Sequence, residues 1–151
     1  MPDQLRLLVE PDTDGTCELF AEVNVGKFAG LASAWFGLDE LEKFGLLLSE
    51  TYPLTTSQRL QLEGGFRSKT GAPVIQDLHV GLHVYPIGSA GIIGLRVQLA
   101  SAVHDGERMD ERSSVRVELK TNYERLRMFG QSVVALAQGS QEPAVLVASD
   151  A

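Results

Sequence analysis

The chain has one cysteine, one tryptophan and three histidines among its 151 residues, and each scarcity closes off a class of protein. A single cysteine, Cys17, cannot form an internal disulfide, and a lone thiol fits a reducing compartment. Cys17 stands in an alternating apolar run with Leu19, Ala21 and Val23. A small buried hydrophobe therefore explains it better than a reactive nucleophile does. No apolar run reaches the ~20 residues of a membrane helix. The longest weakly polar stretch, Ile87 to Val103, is interrupted by glycine, serine and arginine. The opening Met-Pro-Asp-Gln-Leu-Arg has neither the basic leader nor the apolar core of a secretion signal. These features predict a cytoplasmic protein with no membrane partner.

Positive charge is also in short supply. Thirteen basic residues face twenty acidic ones, for a formal net charge of −7. A domain of that sign is repelled by phosphate backbones and drawn to basic proteins, so nucleic acid is not expected as a partner. The sequence reads without a long linker, an internal repeat or a low-complexity segment. With 44% hydrophobic and 22% charged residues, it is expected to form one domain over 1–151 that buries roughly 70% of its extended surface.

Hydropathy patterning supplies the elements. Leu5, Leu7 and Val9 alternate, Pro11 to Gly15 reads as a turn, and Thr16 to Val25 alternates again, which predicts a hairpin. A third strand is expected over Phe28 to Phe36. Leu38, Leu41, Phe44, Leu47 and Leu48 then recur at helical spacing behind Asp39, Glu40 and Glu42, acids that suit the start of a helix. Tyr52-Pro53 ends that helix. Four strands should follow: one with Leu60 and Leu62 ending at Gly64-Gly65, then Val74 to Tyr85, Gly91 to Val103, and one with Val115, Val117 and Leu119. Thr121 and Glu124 have capping-box spacing ahead of a second helix, whose apolar face carries Leu126, Phe129, Val133, Leu136 and Ala137. Gly139 is its stop. Ala144 to Val147 is either a short edge strand or a loose tail. The expected class is α+β, with one antiparallel sheet of six to seven strands and two amphipathic helices packed on it.

Few residues suggest chemistry. His79 and His83 flank Gly81 in an alternating strand, which predicts both imidazoles on one side, roughly 13 Å apart. One metal ion cannot span that gap, so no metal site and no cofactor are expected. Asp105, Glu107, Asp110 and Glu111 share a loop with Arg108 and Arg112, which reads as a solvated turn or else an exposed recognition loop. His104 lies in the same turn region and is expected to be solvated. Gly88 to Gly91 lacks the lysine and the strand–loop–helix setting of a phosphate loop. Ser89 lacks a nucleophile elbow. Trp35-Phe36 reads as core packing, with an exposed contact surface as the alternative. Arg125 and Arg127 fall on the outward side of the second helix.

Taken in order, several of these features form a set. A strand carries Phe28-Ala-Gly30 and then Ala34-Trp35-Phe36, and a helix with Asp39-Glu-Leu41-Glu-Lys-Phe44 follows at once. Antiparallel strands come next, one of them opening Gly91-Ile-Ile-Gly94, and a closing helix carries Tyr123-Glu-x-Leu126-x-x-Phe129. This layout resembles the small bacterial WapI-like immunity proteins and related families of uncharacterised domains. The resemblance implies a cytoplasmic, acidic, non-catalytic protein that inactivates a toxin by binding it. Its specific residues, mainly Phe28, Gly30, Trp35 and Phe44, identify no contact site.

The expectation is therefore a binding protein for a toxin or another basic partner. Its candidate contact residues are Asp105, Glu107, Asp110 and Glu111, together with His79 and His83. Two readings stand beside it: a small ligand-binding protein or enzyme whose pocket is bordered by His79 and His83, and a homo-oligomer subunit with Trp35 at the interface.

Overall fold

The structure, a computed structural model, describes residues 2–58, 60–67, 75–102, 104 and 106–149. Strands β1 (Gln4–Pro11), β2 (Thr16–Val25) and β3 (Phe28–Gly37) form a meander that runs straight into helix α1 (Leu38–Glu50). Strands β4 (Leu60–Arg67), β5 (Ile75–Ile87), β6 (Ile92–Ala100) and β7 (Ser114–Asn122) follow, and β7 runs straight into α2 (Tyr123–Ala137). A last short strand, β8 (Ala144–Val147), closes the described chain.

The class is α+β, but the single sheet expected from the sequence is two. Among the described residues eight strands form two four-stranded antiparallel sheets, ordered β3-β2-β1-β8 and β4-β5-β6-β7. β3 touches all four strands of the second sheet. Leu5, Leu7, Leu19, Val23, Phe36, Leu82, Leu95, Leu119 and the helix residues Leu41, Phe44, Leu126 and Phe129 join one buried cluster. Periodicity marks which face of a strand is buried but not which sheet it joins, so alternation alone could not divide the strands.

The order of elements contains a repetition that the sequence had not suggested. Each half is a three-stranded meander, a helix and a trailing strand (β1-β2-β3-α1-β4 and β5-β6-β7-α2-β8), and each trailing strand joins the other half's sheet. β4 pairs with β5 as β8 pairs with β1. The helices match residue by residue. Leu41, Phe44 and Gly45 of α1 occupy the same places after the helix start as Leu126, Phe129 and Gly130 of α2, and all six are buried. A Cβ on Gly45 would lie 2.8 Å from the Gly130 carbonyl oxygen, and one on Gly130 would lie 2.6 Å from the Gly45 carbonyl oxygen. The helices thus cross backbone to backbone, an approach that only residues without a side chain permit.

Several local expectations need correction. Gly64 and Gly65 do not end a strand; they lie inside β4. The Phe36 ring packs where a Gly64 side chain would be, and the Asp77 carbonyl lies where a Gly65 side chain would be. Thr121 is not a cap but a buried residue of β7. Asn122 is the cap, and its side chain accepts from the Arg125 N–H at 2.9 Å. Pro86 and Ile87 belong to β5, paired with Ile93 and Ile92, which leaves a four-residue turn with left-handed Gly88 and Gly91. The tail forms strand β8 on β1, with Ala144 and Leu146 buried. The expected strand limits Val74 and Val103 lie outside the described residues. None of the described helices is long and apolar enough to cross a membrane.

Candidate functional site

The histidine pair expected on one face is split by a β-bulge. Val80 pairs with Gly64 and Leu78 with Gly65, leaving His79 as the extra residue in β5. An inserted residue reverses the alternation beyond it. Leu78 therefore lies beside Gly81 on the outer face, within 3.0 Å of where a Gly81 Cβ would be. His79 turns the other way and is 5% exposed. Its Nε2 lies 3.0 Å from Asp77 Oδ2, and Phe66 meets its ring edge-on at 4.6 Å. Arg112 lies 3.1 Å from Asp77 Oδ1 and donates to the Leu78 carbonyl at 2.5 Å. Arg112, read from the sequence as part of a solvated turn, is thus a structural tie between the long loop and the bulge. Sequence spacing could not reveal the bulge, although adjacent glycines in the facing strand were a hint of irregular pairing.

His83 lies on the far face of the second sheet. Its Nδ1 is 3.0 Å from Arg96, and its ring meets Tyr85 edge-on at 5.5 Å. Tyr85 donates to Glu118. Burial, reinforced by the Glu118 carboxylate, pushes the Tyr85 phenol up to about 12. The bulge consequently sends the two imidazoles to different faces of β5.

Of the acidic loop residues, Asp105 lies outside the described residues, while Glu107, Asp110 and Glu111 are exposed. Glu111 caps the short 3-10 turn Met109–Glu111 by accepting from the Arg108 N–H at 2.9 Å. His104 is exposed, 6.1 Å from the Phe66 ring centre. Cys17 is fully buried, and desolvation raises its thiol pKa, with Glu40 adding to the effect. Among the described residues no group of histidine, cysteine and carboxylates could hold a metal ion.

The feature that sequence reading missed is the outer face of the first sheet. Leu5, Leu7, Leu19, Ala21 and Val23 point inward and are 0% exposed, so their neighbours in sequence point outward. Cross-strand pairing sets Leu8 opposite Phe20 and Phe20 opposite Ser33. It also sets Glu22 opposite Leu31, Glu18 opposite Trp35, and Glu10 opposite Glu18. Leu31 is 66% exposed and Trp35 55%, and Leu8 is also exposed. Arg6, Leu8, Phe20, Glu22 and Leu31 line a shallow groove of about 360 Å³. Glu10 and Glu18 are like charges directly opposite each other, an arrangement that costs stability in a sheet. Glu18 accepts from the Ser33 hydroxyl at 2.8 Å.

No family model, curated protein or solved structure matches the chain. The Trp35-Phe36 pair is split between the core and the surface. Phe36 is core, and Trp35 is surface. The signal for this was in the sequence, because neighbours in a strand face opposite ways.

Proposed function

We propose that this protein is a non-catalytic binding protein that engages a basic protein partner through the outer face of its first sheet, in the manner of an immunity protein neutralising a toxin. The observation that carries the reading is the outer-face set of exposed Leu8, Leu31 and Trp35 with half-buried Phe20, set among Glu10, Glu18, Glu22 and Arg6. Along the strands the Leu8–Phe20 pair is flanked by Glu22 and Arg6 on one side and by Glu10 and Glu18 on the other, and an apolar centre with charge at its margin is the usual anatomy of a protein interface. An opposed Glu10–Glu18 pair is relieved when a cation enters between its members. The net charge of −7 adds long-range attraction, which speeds encounter and weakens with salt. The resemblance to WapI-like immunity proteins points the same way. The acidic loop of Glu107, Asp110 and Glu111 takes second place to this face, because it adds a single exposed apolar side chain, Met109, where the sheet face offers several.

The His79–Asp77 pair is better read as part of the scaffold. Asp77 is engaged by His79 and Arg112 together, and the imidazole is almost wholly enclosed.

The test uses the protein encoded by the neighbouring gene, co-expressed and purified with this one. Nanomolar binding is expected, with an association rate that falls at least tenfold between 50 and 500 mM salt, in line with the usual behaviour of steered complexes. Phe20→Asp should abolish both the binding and any protection from toxicity. Wild-type affinity in Phe20→Asp and Leu31→Asp would overturn the assignment of the face.

A further inference from the structure

We infer that the partner adds an extended segment of its own to the free edge of β3, alternating apolar residues with lysine or arginine. This deepens the reading of the outer face and rests on it.

The argument begins with the hairpin. Gly26 and Lys27 alone connect β2 to β3, with Val25 opposite Phe28 and Gly26 at φ +59. Across a two-residue turn the first pair exchanges hydrogen bonds, and pairs alternate thereafter. Phe28, Gly30, Ala32, Ala34 and Phe36 therefore bond to β2. The far end confirms the phase: the next residue in the series, Leu38, donates to the Gly15 carbonyl at 2.9 Å. The N–H and C=O groups of Ala29, Leu31, Ser33 and Trp35 consequently point away from β2. β3 is the edge of its sheet, with no strand on that side among the described residues.

Edge strands are ordinarily blunted by charge, proline, bulges or shortness. The other three edges are protected in these ways. β7 carries Arg116, Glu118 and Lys120, β4 carries Glu63 and two register shifts, and β8 has four residues. β3 has ten residues, Phe-Ala-Gly-Leu-Ala-Ser-Ala-Trp-Phe-Gly, without charge or proline, and its pairing runs unbroken from Phe28 to Gly37. An unprotected edge of this length is the template that strand addition uses. The same four residues whose backbone groups point outward, Ala29, Leu31, Ser33 and Trp35, also turn their side chains to the outer face. A strand added there lays alternate side chains beside Leu31 and Trp35, one strand away from Glu22 and Glu18. Those carboxylates favour a basic segment over a second copy of a chain carrying −7.

The experiment uses the full chain labelled with 15N and a capped ten-residue peptide alternating lysine and valine. Its glutamate–valine counterpart is the control. The lysine peptide is expected to slow amide exchange at Ala29, Leu31, Ser33 and Trp35 at least tenfold and to leave β7 amides unchanged. The glutamate peptide should do neither. Ser33→Pro and Ala29→Pro each remove an outward N–H without touching the β2 ladder, and each should weaken the peptide at least tenfold. Ala29→Pro, next to the turn, covers the case in which Ser33→Pro fails to fold. If the peptide binds and is lost in Phe20→Asp while those four amides stay unprotected, strand addition is wrong and the face reading survives. If the peptide does not bind at all, both are wrong. If light scattering finds a dimer whose four amides are protected without peptide, a second copy holds the edge and the inference is overturned.

Discussion

The two halves of this molecule share a framework and differ in what they show to solvent. Counted back from their helices, β3 and β7 correspond position by position. Gly30, Ala32, Ala34 and Phe36 match Val115, Val117, Leu119 and Thr121 on the inner face. On the outer face Leu31, Ser33 and Trp35 match Arg116, Glu118 and Lys120. The inner sets are similar because both must fill one core. The outer sets are free to differ, and they diverge completely: one strand keeps its edge open and apolar, and the other closes it with alternating charge. The difference in charge is confined to the solvent-facing positions of the two strands, the pattern expected of the proposed binding role for one half.

The shared part of this comparison should give the largest effects. Gly45→Val and Gly130→Val each push a side chain into the other helix's backbone, and each is expected to cost about 3 kcal/mol, more than typical overpacking because backbone must move. Denaturant melts of the two variants should give losses that agree within about 1 kcal/mol if the crossing is truly symmetric. A large loss at one glycine and none at the other would break the correspondence of the halves.

A feature confined to the second sheet comes next. Arg112→Ala removes the cation that holds Asp77 beside His79. The Arg112 side chain is partly exposed, at 24%. The loss should thus be about 1–2 kcal/mol, below the 3–5 kcal/mol typical of fully buried pairs. The first sheet has no such bulge, so amide exchange should quicken around β4 and β5 and stay unchanged in β1 and β2. Uniform quickening would show the tie to be global.

Outer-face substitutions sharpen the contrast because they separate stability from binding. Leu31→Arg, which gives β3 the residue of its counterpart Arg116, should change stability by no more than about 0.5 kcal/mol, the usual range for surface positions. Partner affinity should nevertheless fall at least tenfold. Equal affinity would mean that the divergence of the two strands has no part in binding.

The smallest effect concerns the far face of the second sheet at alkaline pH. Tyr85 is held near 12, above the ordinary tyrosine value of 10.0. The folded state therefore retains the phenolic proton after the unfolded chain has lost it. Its stabilising contribution is complete below pH 10 and disappears as pH rises towards 12. Tyr85→Phe should flatten that alkaline loss, as followed by chemical denaturation between pH 9 and 12. An unchanged profile would remove Tyr85 as its source.

Much of the scaffold was legible in the residues. Alternation located the strands, helical spacing located Leu41, Phe44, Leu126 and Phe129, and both helix ends were placed to within a residue or two. The candidate site was legible only in part. Trp35 and Phe36 were visible as an aromatic pair, and strand parity alone sends them to opposite faces. Which of the two meets solvent depends on where the second sheet lies, and that is a long-range fact. His79 shows the limit most sharply: one extra residue at a bulge reverses the face, and nothing adjacent to His79 announces it.

Taken alone, the amino-acid order determined the elements, the buried stripe of each, and the net charge of −7, because these depend on spacing and composition along the chain. Tertiary structure decided the division into two sheets, the exchange of trailing strands, the glycine crossing, and the open apolar edge at β3. Each of those depends on which surfaces meet across the fold, and periods of two or 3.6 residues carry no information about partners dozens of residues away.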